Sequence, residues 1–150
     1  MKLAEALQER ADIQKRLAQL KVRLRNNARV QEGEQPSEKP EELLHELDIL
    51  VKRLEELMMR INKTNAETLD AEVSLTALIA KRDCLRTKIS ILRDFLDEAS
   101  DLSNRALRSE IRIMSTVSVI EKRKALDTLA QELRQIDSRI QQRNWLTELL

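Results

Sequence analysis

The chain has 150 residues, a formal net charge of +1 from 27 Lys plus Arg against 26 Asp plus Glu, 35% charged residues and 1% aromatic ones. One Gly and two Pro in a chain rich in Leu, Ala, Glu, Lys and Arg argue against a sheet protein and for long helices around an aliphatic core. Balanced charge argues against a nucleic-acid surface, which needs a basic excess, and the scarcity of rings removes the stacking platforms used on single strands.

The first helix is expected over about residues 2–28. Leu3, Ala6, Arg10, Ile13, Leu17, Leu20, Leu24 and Asn27 recur at alternating spacings of three and four, the seam of a helix packed on a helix. Glu9, Lys15, Arg16, Lys21 and Arg25 lie off that seam and read as a solvated stripe. Residues 31–40 hold the sole Gly and both prolines and form a loop. Pro40 suits the first turn of a second helix over about 40–68, with Glu41 and Glu42 at the positive end of its dipole. Its seam is Leu43, Leu47, Leu50, Leu54, Leu57, Ile61, Thr64 and Thr68, apolar as far as Ile61. Leu69 to Val73 is a short connector without Gly, and Ser74 can cap the third helix.

That third helix, about 75–99, carries the seam Leu75, Leu78, Arg82, Leu85, Ile89, Leu92, Leu96 and Ala99. Ile79, Cys84, Ile91 and Phe95 widen its apolar surface, so it is expected to be central, with Cys84 a buried structural thiol. A single Cys allows no internal disulfide. Around 103–118 the pattern breaks into an irregular or β-like segment. Ile111, Ile113, Val117 and Val119 alternate weakly like a strand, and a partly helical connection through Arg105 to Glu110 is the other option. Ser118 and Glu121 form a capping box that opens a fourth helix to about Arg143, with seam Leu126, Leu129, Leu133, Ile136, Ile140 and Arg143. Asn144, Trp145 and Leu146 begin a short apolar tail.

Four rods of similar length, each about 40 Å, joined mostly by short connections, give antiparallel neighbours. The expected fold is all-α: a single helical domain over 1–150, an antiparallel up-down-up-down four-helix bundle with coiled-coil-like seams. In that arrangement Arg10, Asn62, Thr64, Asn65, Arg82 and Arg143 converge at one polar end. Guanidinium forks there suit a small phosphate or carboxylate anion. The competing reading pairs them with Glu5, Glu9, Glu67, Asp83 and Glu148 as structural ion pairs.

Glu42 and His45 have the E-x-x-H spacing of di-metal bundles, but those sites use two such motifs and this chain has one His. No catalytic set and no cofactor are expected; the sole Gly rules out a phosphate loop. Charges at Lys2 and Glu5 come too early for a signal peptide, and no apolar run reaches the ~20 residues of a membrane span. Cytoplasmic placement is the expectation.

The pieces Met1 to Leu24, Arg60 to Asn65 (RINKTN), Lys81 to Asp94, Arg108 to Val117 (RSEIRIMSTV) and Asn144 to Leu149 (NWLTEL) resemble the septicolysin-like family of small bacterial helical proteins, mostly of unknown function. The resemblance implies a compact, cytosolic, self-associating bacterial protein; the family name implies a cytolysin. The functional expectation is a non-enzymatic helical bundle that forms a homo-oligomer. The alternatives are an anionic-ligand binder or enzyme at the polar end, and a cytolysin.

Overall fold

The structure, a computed structural model, describes residues 1–102 and 111–150. It is all-α, with helices α1 (Leu3–Asn26), α2 (Pro40–Glu67), α3 (Leu75–Ser100) and α4 (Val119–Leu146). Two short strands, β1 (Leu69–Asp70) and β2 (Val73–Ser74), lie between α2 and α3. The chain divides into two compact units, one of Met1–Ser74 with Gln142–Leu150 and one of Leu75–Gln141.

In the first unit α1 and α2 run antiparallel. Their seams bury Leu3, Ala6, Ile13 and Leu20 on one helix and Leu43, Leu50, Leu57 and Ile61 on the other. Each fully buried Leu or Ile contributes about 1.5–3 kcal/mol, which is what holds two otherwise charged rods together. Ion pairs brace the edges, and the numbers climb on α1 as they fall on α2 and the loop just before it: Glu9 with Arg53, Arg16 with Glu46, Arg23 with Glu38. The stripe read as solvated therefore carries cross-helix braces at Glu9 and Arg16.

Local chemistry sets the ends. The Lys2 amide donates to Glu5 Oε2 at 2.6 Å at the start of α1. Asn27 closes α1: its Nδ2 donates to the Arg23 carbonyl at 2.8 Å and its Oδ1 accepts from the Glu38 amide at 2.9 Å. That ties both ends of the loop together, so a buried amide is satisfied. Pro40 stands in the first turn of α2, where a missing N–H is harmless.

In the second unit α3 and α4 are also antiparallel. Lys81 pairs with Glu132 and Arg86 with Asp137 near one end, while Arg123 reaches Asp97 and Ser100 near the other. Leu75, Leu78, Leu85, Ile89 and Leu96 are buried on α3, and Leu126, Ile136 and Ile140 on α4. The Ser118 hydroxyl accepts from the Glu121 amide at 3.4 Å, placing the expected cap at the start of α4. α4 runs on to Leu146, so the start of the expected tail is helical. Residues 111–117 carry neither helix nor strand; 103–110, with the helical option for Arg105 to Glu110, lie outside the described residues.

The connector after α2 is more ordered than its sequence suggests. Leu69 pairs with Ser74 and Asp70 with Val73, leaving a two-residue turn at Ala71 and Glu72. Both turn residues have positive φ, 47° and 70°. Two-residue hairpins take this conformation because its twist matches the strands, and Asn-Gly is the usual sequence. A Cβ in this region costs roughly 1–2 kcal/mol per residue. Replacing Ala71–Glu72 by Asn-Gly should stabilise the protein by about 1 kcal/mol or more, read as a higher urea midpoint at constant m-value. An unchanged or lower midpoint would refute the turn geometry.

Candidate functional site

At one end of the first unit the chain is clasped by its own termini. Lys2 bridges Glu148 in an isolated antiparallel pair. The Leu3 amide donates to the Thr147 carbonyl and the Leu149 amide to the Met1 carbonyl, both at 2.9 Å. Lys2 Nζ meets Glu148 Oε1 at 2.5 Å. Lys2 and the Met1 amino group hold the Glu148 carboxyl below the ordinary glutamate range.

The end of α2 receives the other side of this segment. Thr64, fully buried, donates its hydroxyl to the Arg60 carbonyl at 2.8 Å and accepts from the Leu150 amide at 3.0 Å. Arg60 Nε donates to the Leu150 carbonyl at 2.8 Å. Arg143 Nε meets Asp70 Oδ1 at 2.8 Å, so the turn after α2 places the carboxylate that answers this arginine.

The expected site residues thus have distinct surroundings. Thr64 and Arg143 are engaged by the chain itself. Asn62 is exposed. Asn65 is half-buried, and its Oδ1, like that of the buried Asn144, has no hydrogen-bond partner among the described residues. What these oxygens lack is a donor, which a fully ionised anion does not supply. Arg10 is half-buried, and its side chain has no hydrogen bond or ion pair among the described residues. Arg82 belongs to the second unit, where Nε lies 2.9 Å from Asp83 and 3.9 Å from Asp137. Glu42 and His45 are exposed, and Glu42 pairs with Lys39. Among the described residues no three His, Cys, Asp or Glu side chains group as metal ligands, and no helix is long and apolar enough to cross a membrane.

Arg53, Arg60 and Asp70 escaped the sequence reading. For two of them a signal existed: Glu46, Arg53 and Arg60 recur every seven residues beside the α2 seam, as Glu9, Arg16 and Arg23 do beside that of α1. Such rows flank a helix pair and choose its register. Asp70 had no such signal, because it sits in a connector.

The remaining feature is on α3. Cys84 is exposed, not buried as expected. At 3.6 residues per turn, Cys84, Ile91 and Phe95 fall within about 40° of one another and roughly opposite Ile89 and Leu96. Ile91 is 63% and Phe95 43% exposed. Cys84, Thr87, Lys88, Ile91 and Leu92 line an open, largely apolar groove of about 400 Å³. α3 therefore carries one buried stripe and one outward stripe.

The Glu9–Arg53 brace makes a testable contribution. Its hydrogen bond from Arg53 holds the Glu9 carboxyl below the ordinary glutamate range, against the smaller opposing effect of burial. Because the folded value is depressed, the stability is present above the unfolded value and is lost as pH falls through the folded one, below about pH 5. Glu9→Gln should cost about 1 kcal/mol or less at neutral pH, with the difference from the parent vanishing on acidification. A difference that persists at low pH in denaturant titrations would mean that the charge is not what Glu9 contributes.

A family model described as a family of unknown function, DUF6847, matches residues 10–149. The crystal structure of a functionally unknown conserved protein from Corynebacterium diphtheriae is similar at 41% identity and a TM-score of 0.94, over 100% of this chain and 99% of that one. No curated protein matches. These findings replace the septicolysin-like resemblance, which rested on short pieces taken mostly from helices, where leucine periodicity is shared by unrelated helical proteins. The chain belongs to the family of unknown function DUF6847.

Proposed function

We propose that this protein is a non-enzymatic, cytoplasmic helical protein that works by self-association, and that the outward stripe of α3 is the surface it uses. The observation that carries the reading is the groove beside Ile91, with Phe95 one turn further on. Large apolar side chains clustered in a groove are what an interface core requires, and a near-neutral chain meets little long-range repulsion from its own copy. We infer that Thr64, Arg82 and Arg143, three of the residues expected to form an anion site, act instead as structural clamps, since Arg143 meets Asp70, Arg82 meets Asp83 and Thr64 holds the Leu150 amide.

Sedimentation velocity at micromolar concentration should show a species heavier than the 17.5 kDa chain. Ile91→Ser, an exposed substitution that spares the buried stripe, should weaken association about tenfold or more. A wild-type protein that sediments as a monomer contradicts the proposal.

A further inference from the structure

Resting on that self-association, the pattern of charge beside the α3 groove gives the pairing a direction: we propose that two copies of α3 meet side by side in parallel, across a two-fold axis along the helices. Cys84 of each copy then faces Cys84 of the other, with Ile91 and Phe95 beside the axis.

The argument starts from where the charges stand. With Ile91 as the centre of the outward stripe, Lys88 lies three residues before it, about 60° to one side, and Asp94 three residues after it, about 60° to the other. Both are exposed. The stripe thus has a positive edge and a negative edge, one on either side of Ile91. In a parallel two-fold pair the opposite edges of the two helices adjoin. Lys88 of each copy then lies beside Asp94 of the other, about 9 Å apart along the axis, a span that a lysine side chain bridges in the manner of flanking pairs in parallel coiled coils. Turned end for end, the same edges meet like with like: Lys88 beside Lys88, Asp94 beside Asp94. Charge therefore selects the parallel pairing over the antiparallel one.

The same geometry has a cost at the far end of the stripe. Glu98, two turns beyond Ile91, lies about 20° from the stripe's centre and in parallel pairing opposes its own copy. Contact is tightest between Cys84 and Phe95, and Glu98 limits its extension.

Cys84 is the only cysteine, so a thiol cross-link between copies has one identity. A short bismaleimide added to the full-length dimer should give covalent dimers in high yield, and Cys84→Ser should give none. In antiparallel pairing centred on Ile91 the two thiols would lie about 20 Å apart along the axis, beyond such a reagent. Glu98→Gln, which removes charge alone, should tighten the dimer about fivefold in sedimentation equilibrium. A wild-type dimer that resists cross-linking and is indifferent to Glu98→Gln overturns the parallel pairing while leaving self-association intact. A monomeric wild type overturns the self-association reading itself.

Discussion

α3 presents apolar side chains on two roughly opposite faces, and a helix removes both from water only with a neighbour on each side. One neighbour is identified: Leu85, Ile89 and Leu96 are buried in the unit that pairs α3 with α4. The other face, around Ile91 and Phe95, stays open. A 17.5 kDa chain with 1% aromatic residues has few large side chains to spare, yet its only Phe lies on that outward face. The proposed function and the proposed pairing both rest on that asymmetry.

The polar groups do different work. Cross-helix braces along α1 and α2 are spaced like the leucines they flank, so they fix register as burial supplies the energy. Partly exposed pairs of this kind add little net stability, but sliding either helix by seven residues would set Glu9 against Glu46 or Arg16 against Arg53. The clasp at residues 147–150 uses backbone donors and acceptors instead, with Thr64 and Arg60 receiving the chain after α4. This closure commits the Thr64 hydroxyl and the Arg60 guanidinium to the backbone of the chain's last residues.

Four helices could be read from leucine spacing, because a 3.6-residue period and an almost total lack of breakers leave one solution. The hairpin at Leu69–Ser74 could not: its turn places Ala71 and Glu72 at positive φ, where sequence rules look for Gly or Asn. Cys84 was misplaced for a related reason. Apolar residues on a two-faced helix look alike, and only packing decides which face turns inward. The arginines were legible as residues needing partners, but Asp70 became the partner of Arg143 through a turn that no periodicity announces. The cross-helix braces were legible in principle, in the seven-residue rows at Glu9, Arg16 and Arg23 and at Glu46, Arg53 and Arg60.

The central claim is that the two faces of α3 have separate duties, one holding the fold and one open for a partner. Thermal and urea unfolding of Ile89→Ala and Ile91→Ala, at protein concentrations dilute enough to exclude association, tests it directly. Ile89, 2% exposed, should lose about 2–5 kcal/mol on truncation, whereas Ile91 should change stability by no more than about 0.5 kcal/mol. Comparable losses at the two positions would show that the outward stripe is packed within a single chain, and would contradict the account.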